Sequence, residues 1–239
     1  MNSQKNEFIP IDKLLENLEN LKNESLEPLA VLLACGSYNP IHKFHVEIFK
    51  ITKTYLEKEK ICKVVIGYIS PSPQLYLDEK YPKEAIPLKH RIEMIKLAIK
   101  ESSESSWLDY TAWESSSPKN IKAIVDYHEI IKNLSEFLNK NVKQELKGRK
   151  LEVIYLCGLD EILKTERNGL NDLEDYKIAI VERHLKDSRT TSTSMLCKTT
   201  GFIITYCKSE DNSGTKVCIR FADYSAIWKL IIVIYTSYY

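Results

Sequence analysis

Glycine-rich signatures, paired cysteines, an excess of one charge and long apolar runs are all missing from this 239-residue chain. Only seven glycines occur, and no G-x-x-x-x-G-K is among them, so a P-loop is excluded. Of the dinucleotide fingerprint G-x-G-x-x-G only Gly36 is present. The six cysteines (Cys35, Cys62, Cys157, Cys197, Cys207, Cys218) form no C-x-x-C pair. Reduced structural thiols of an intracellular protein are expected, and no Cys/His spacing supports structural zinc. Thirty-four Lys and Arg face 33 Asp and Glu, a net charge of +1. That balance argues against a dedicated nucleic-acid binder but leaves room for a local phosphate site. Met1 to Glu27 has no apolar core of a signal peptide. The apolar "AIWKLIIVIY" near the C-terminus is far short of the ~20 residues that span a bilayer, so a buried helix or strand is expected and no membrane partner. No internal repeat is visible, and the one low-complexity patch is the serines between Glu101 and Ser117.

What is present suffices for a full core, with 44% hydrophobic residues. Leu29 to Cys35 is a near-continuous apolar run, as a strand buried on both faces requires. His42, His45, Phe49, Thr52 and Leu56 recur at steps of three and four, which predicts a helix from Pro40 to about Glu57. Ile61–Ile69 predicts a second strand and Leu88–Lys100 a helix with Ile92, Ile95 and Ile99 on one face. Trp107–Tyr110, Leu151–Cys157, Lys177–Val181 and Phe202–Tyr206 read as further strands. Pro118 to about Leu146 reads as one long helix, and Gly-Leu-Asp after Cys157 as the start of another. "SPSPQLYLDEKYPKEAIP" is broken by proline and reads as a loop. Leu14, Leu15, Leu18 and Leu21 predict a short amphipathic helix in an N-terminal extension, residues 1–27, ahead of a single domain, residues 28–239. The alternation implies an α/β fold, a doubly wound parallel sheet of Rossmann-like type. Ligands of such sheets bind beyond the carboxyl ends of the strands. Four post-strand segments there carry unusual chemistry: Gly36-Ser37, Ser70-Pro71, Trp113-Glu114 and Gly158 to Asp160.

The first of these is "CGSYNPIHKFH", Cys35 to His45. Gly36 allows a sharp turn and close approach of a ligand to bare backbone. Asn39 suits an N-cap and Pro40 the first helical position. The helix would then aim its N–H groups and positive dipole end at the strand terminus, forming an anion site. His42 and His45 in its first turn can both donate to phosphate oxygens. An ordinary turn has no use for two histidines there.

"GSYNPIHKFH" resembles the G-x-F-x-P-x-[TH]-x-x-H signature of the nucleotidyltransferases with an H-x-G-H-type motif. "VLLACGSYNPIHKFHVEIF" is similar, more narrowly, to the eukaryotic nicotinamide mononucleotide adenylyltransferases. "VVIGYISP", "IPLKHRIEMIKLA", "WLDYTAWES", "YLCGLDEIL", "IAIVER" and "DNSGTK" resemble further segments of that family in the same order. The resemblance covers roughly Leu29 to Lys216. It implies transfer of AMP from ATP to the 5′-phosphate of nicotinamide or nicotinate mononucleotide, with pyrophosphate released by direct in-line displacement. It implies Mg²⁺ held by the ATP phosphates rather than by protein ligands. Carried over by position, His45, His42 and Lys216 are the expected catalytic residues. Gly36, Ser37, Tyr38, Lys83, Trp113, Gly158, Asp160, Leu170, Arg183, Ser213 and Thr215 are the expected binding residues. Lys80 is the alternative to Lys83. The partners implied are ATP and a pyridine mononucleotide, with no nucleic acid. A homo-oligomer stays open, as does cytoplasm against nucleus.

The chain departs from the family pattern in places. Asn120 and Ala123 stand where a ring-stacking aromatic and a Thr are expected, and Leu170-Asn171 where a Leu-Trp pair is. Arg220 is then a candidate for the shifted equivalent of an arginine after the late Lys. A family member that binds nucleotide or a partner without turnover, or a transferase with another phosphate acceptor, are the alternative readings.

Overall fold

In the computed structural model of the protein, residues 8–21, 27–116, 126–158, 177–183 and 231–236 are described. They belong to two compact units, Met1–Ile154 and Tyr155–Tyr239.

The first unit is built on β1 (Leu29–Gly36), whose first six residues are all buried. β2 (Lys63–Pro71) pairs with β1 in parallel, and β3 (Leu108–Tyr110) pairs in parallel with β2. The start of β4 (Leu151–Gly158) lies on the other side of β1, giving the order β3-β2-β1-β4. The second unit holds the end of β4, then β5 (Lys177–Arg183), then β6 (Ile231–Thr236). β5 and β6 run parallel, with Ile178 opposite Ile231 and Arg183 opposite Thr236. The Ile-Ile-Val-Ile run of the apolar stretch near the C-terminus is therefore in a strand, as its β-branched residues favour. The fold is α/β with a parallel, Rossmann-like sheet and flanking helices, as the alternation implied.

Helices cover the strands of the first unit through apolar stripes. α1 (Asp12–Glu19) buries Leu14 and Leu18. Its Asn17 Nδ2 donates to the Val65 carbonyl at 2.9 Å, and its Lys13 Nζ to the Leu108 carbonyl at 2.7 Å. α2 (Lys43–Lys58) buries Val46, Phe49 and Leu56. Gly67 of β2 makes room for side chains of α2 and β3. A Cβ there would lie 2.6 Å from Leu108 Cδ2 and 2.8 Å from Phe49 Cδ1.

Three expectations need correction. α2 begins at Lys43 rather than Pro40. Asn39 cannot cap it, because its amide is engaged elsewhere: Nδ2 donates to the Glu84 carbonyl at 3.0 Å and Oδ1 accepts from the Ile86 N–H at 2.8 Å. The proline-broken segment after β2 contains α3 (Gln74–Lys80). Pro73 sits at its N-cap, so proline starts this helix instead of preventing it, and Leu77 anchors it in the core. The unbroken helix expected from Pro118 to about Leu146 is, among the described residues, α6 (Tyr127–Asn141), and a short α5 (Trp113–Ser116) comes earlier in the chain. Asp126 is extended and caps α6 through the His128 N–H. α4 (Leu88–Glu101) matches its expected span. The Phe202–Tyr206 strand and the helix after Gly158 lie outside the described residues.

Candidate active site

The register levels three strand ends. Cys35 lies opposite Ser70, Gly36 opposite Pro71, and Ile69 opposite Tyr110. The segments that leave β1, β2 and β3 therefore emerge at one edge of the first unit.

At the end of β1 the chain turns back on itself. Tyr38 takes a left-handed backbone, φ +44°. Its buried ring folds over Gly36, and its hydroxyl donates to the Ala34 carbonyl at 3.0 Å. A Cβ on Gly36 would stand 3.2 Å from Tyr38 Cζ, so the glycine makes room for the ring. Tyr38 in turn meets the His45 ring edge-on at 5.0 Å.

His42 is the N-cap of α2, and His45 is its third helical residue. Their rings stack with centroids 3.5 Å apart. The His42 N–H donates to His45 Nδ1 at 3.1 Å. Nδ1 is thus an acceptor, and the His45 ring proton sits on Nε2. A neutral imidazole donor stands at the positive end of a 16-residue helix, which suits it to an anion.

Lys83 is exposed in the turn that precedes Glu84 and Ile86, the two residues held by Asn39. Lys80 is engaged instead with two rings: its Nζ lies 3.2 Å from the Tyr76 hydroxyl and 5.5 Å from the Tyr81 centroid. Ser37 is half-buried, and its carbonyl accepts from Arg91 Nη1 at 2.9 Å. Trp113 is buried at the start of α5. With Leu33, Ser70, Thr111, Glu114 and Ile130 it borders a cavity of about 10 Å³, room for one water. Trp107 is a core residue, its Nε1 donating to Glu104 at 2.8 Å. In the second unit Gly158 ends β4 and Arg183 ends β5, both at the carboxyl ends of strands. Asp160, Leu170, Ser213, Thr215 and Lys216 lie outside the described residues, as do Asn120, Ala123, Asn171 and Arg220.

Two charged residues are buried behind this edge: Arg91, to which the sequence pattern assigns no role, and Glu114 of the Trp113-Glu114 segment. Arg91 is wholly inaccessible. Glu114 accepts from the Ser70 hydroxyl at 2.6 Å. Burial pushes the Glu114 carboxyl up to about 7, against the pull of hydrogen bonds from Ser70, Cys35 and Ser72 and of the Arg91 charge. A signal for Arg91 was available: it falls in phase with Ile95 and Ile99, at steps of four along α4, on the stripe that faces the core.

The raised Glu114 value makes stability depend on pH in one direction. An unfolded glutamate ionises near 4.5, and the folded one resists until about 7. The stability that this group contributes is full below about 4.5 and is lost as pH rises through about 7. Glu114→Gln removes that dependence. From pH 5 to pH 8 the wild type should lose up to roughly 3 kcal/mol relative to the variant, because a tenfold change in proton activity between the two values is worth about 1.4 kcal/mol. Paired denaturant titrations at several pH values check this, and parallel profiles would refute it.

The cytidylyltransferase-like family model matches residues 33–218, more than half of the chain. The chain belongs to the cytidylyltransferase-like family. Among curated relatives, the nicotinamide/nicotinic acid mononucleotide adenylyltransferase of Schizosaccharomyces pombe is 36% identical over 116 residues, which is 48% of this chain and 29% of the relative. The Saccharomyces cerevisiae nicotinamide/nicotinic acid mononucleotide adenylyltransferase 2 is 32% identical over 193 residues, 76% of this chain and 45% of the relative. The Bos taurus nicotinamide/nicotinic acid mononucleotide adenylyltransferase 1 is 40% identical over 85 residues, 36% of this chain and 28% of the relative. This family member thus spans less than half the length of these curated relatives. A solved structure of Plasmodium falciparum nicotinic acid mononucleotide adenylyltransferase complexed with NaAD superposes with TM-score 0.50 at 16% identity, covering 69% of this chain and 70% of that one. That likeness shows the shared fold of this cytidylyltransferase-like chain.

Proposed function

We propose that the chain transfers AMP from ATP to nicotinamide or nicotinate mononucleotide, releasing pyrophosphate. The observation that carries this reading is the stacked His42/His45 pair at the N-terminus of α2, directly beyond the Gly36 turn. The names of the relatives supply the substrate class.

In this reaction a phosphate oxygen of the mononucleotide attacks the α-phosphorus of ATP as the bond to pyrophosphate breaks. No protein nucleophile is needed, so catalysis is positioning and charge neutralisation. His45 donates its Nε2 proton to the phosphate oxygens where charge grows, backed by the α2 dipole. His42 stacks on it and assists. Lys83 reaches the phosphates from its exposed turn. Gly36, Ser37 and Tyr38 form the turn against which the nucleotide lies. Trp113 borders the mononucleotide, and Gly158 with Asp160 and Leu170 receives ribose and base. Arg183, Ser213, Thr215 and Lys216 hold the far phosphates. Mg²⁺ would ride on the ATP phosphates and neutralise part of their charge. Among the described residues no group of three or more His, Cys, Asp or Glu could hold a metal ion. No helix among the described residues is long and apolar enough to cross a membrane.

A pyrophosphate-release assay with ATP, Mg²⁺ and one acceptor at a time tests the proposal. Release with a pyridine mononucleotide, and not with pantetheine phosphate or an alcohol phosphate, is the expected result. Nucleotide binding without release under any acceptor would support a member without turnover, the reading that Asn120, Ala123 and Asn171 favour.

A further inference from the structure

The buried guanidinium of Arg91 makes three hydrogen bonds, and every acceptor is a backbone carbonyl. Nε donates to Ile86 at 3.1 Å, Nη1 to Ser37 at 2.9 Å and Nη2 to Ser72 at 2.9 Å. Ser37 belongs to the turn after β1, Ser72 to the segment after β2, and Ile86 to the segment that carries Lys83. Other bonds run between the same three segments. The Ser72 N–H donates to the Gly36 carbonyl at 2.9 Å. The Asn39 amide clasps Glu84 and Ile86. Glu114, held by Ser70 at the end of β2, favours the Arg91 charge from the segment after β3 once its raised carboxyl is ionised.

Burying a charge at a core position of a helix is costly, and an apolar side chain in phase with Ile95 and Ile99 would carry no such penalty. Planar donors in a fixed fork can join three carbonyls at set distances, which neither an apolar side chain nor a lysine can do. Burial lowers the Arg91 value to about 10, so the side chain stays charged at neutral pH.

We propose that Arg91 is a positioning residue, which fixes the His42/His45 turn in register with the Lys83 segment so that imidazoles and ammonium converge on one phosphate chain. This rests on the adenylyl-transfer reading of the site. Asn39 is the second tie in the same device, from the solvent side.

The test compares Arg91→Lys with Ile99→Ala, a core truncation eight residues further along the same helix. Melting temperatures, steady-state constants and the imidazole nitrogen shifts of His42 and His45 are recorded for each. Arg91→Lys should fold and lose at least ~10-fold in kcat, while the KM of the mononucleotide stays within ~3-fold. Its imidazole shifts should move. Ile99→Ala should lose as much or more in melting temperature yet keep kcat within ~2-fold. A folded Arg91→Lys with wild-type kcat and unmoved imidazoles overturns the proposal. So does an Ile99→Ala whose kcat falls in proportion to its stability. Should Arg91→Lys fail to fold, Asn39→Ala decides: the proposal expects lower kcat and moved imidazole shifts, and wild-type values for both reject it. A wild type that releases no pyrophosphate sinks the adenylyl-transfer reading alone, and the imidazole shifts, which need no substrate, then judge Arg91.

Discussion

Replacing His45 by Ala should leave a folded protein whose turnover is at least ~100-fold lower, the size expected for losing one preorganised donor to developing charge. The side chain is half-buried in the first turn of α2 and takes no part in the strand core. Its loss removes the ring that stacks on His42 and the Nδ1 that accepts the His42 N–H. The hydrogen bond from the His45 backbone N–H to the His42 carbonyl survives the substitution, so the helix start is kept. His42→Ala should cost less, because the family pattern accepts Thr at that position. Steady-state kinetics on purified variants, with circular dichroism as a check on folding, separate the two. A His45→Ala enzyme with near-normal kcat would remove His45 from the chemistry.

The second large effect falls on stability. Gly67→Val should cost roughly 3 kcal/mol, the upper range for overpacking a filled core. Even the first added atom would stand 2.6 Å from Leu108 and 2.8 Å from Phe49. Leu108 is fully buried and cannot swing into solvent. Phe49 is fully buried too, and its ring meets Trp107 edge-on at 6.5 Å. Relief therefore requires α2 or β3 to move away from β2. Denaturant unfolding of wild type and variant measures the loss. A variant as stable as the wild type would mean that α2 slides without penalty.

Strands buried on both faces were the easiest elements to read, since β1 and β2 show as apolar runs whatever their neighbours do. α4 was legible from its isoleucines. The segments that shape the site were harder, because tertiary partners decide them. Asn39-Pro40 has the residue types of a helix start, yet the Asn39 amide finds better partners at Glu84 and Ile86, 45 and 47 residues away. α3 hides between prolines that look like breaks and act as boundaries. The histidine pair was legible because its residue types are unusual at a strand end. Glu114 stood out only as part of a post-strand segment, and Arg91 has the look of a surface charge apart from its phase with Ile95 and Ile99; the fold shows both enclosed.

Lys13 has a consequence outside the site. β3 ends the strand order of its unit and is three residues long, so its outer rim is where a second chain could add a strand. The Lys13 ammonium sits on the Leu108 carbonyl and pairs with Asp109 at 3.6 Å, placing a cation on that rim. A change that lifts α1 away would uncover Leu14, Leu18 and an unguarded strand edge together. Its first symptom would be self-association at rising protein concentration, ahead of any slowing of the chemistry.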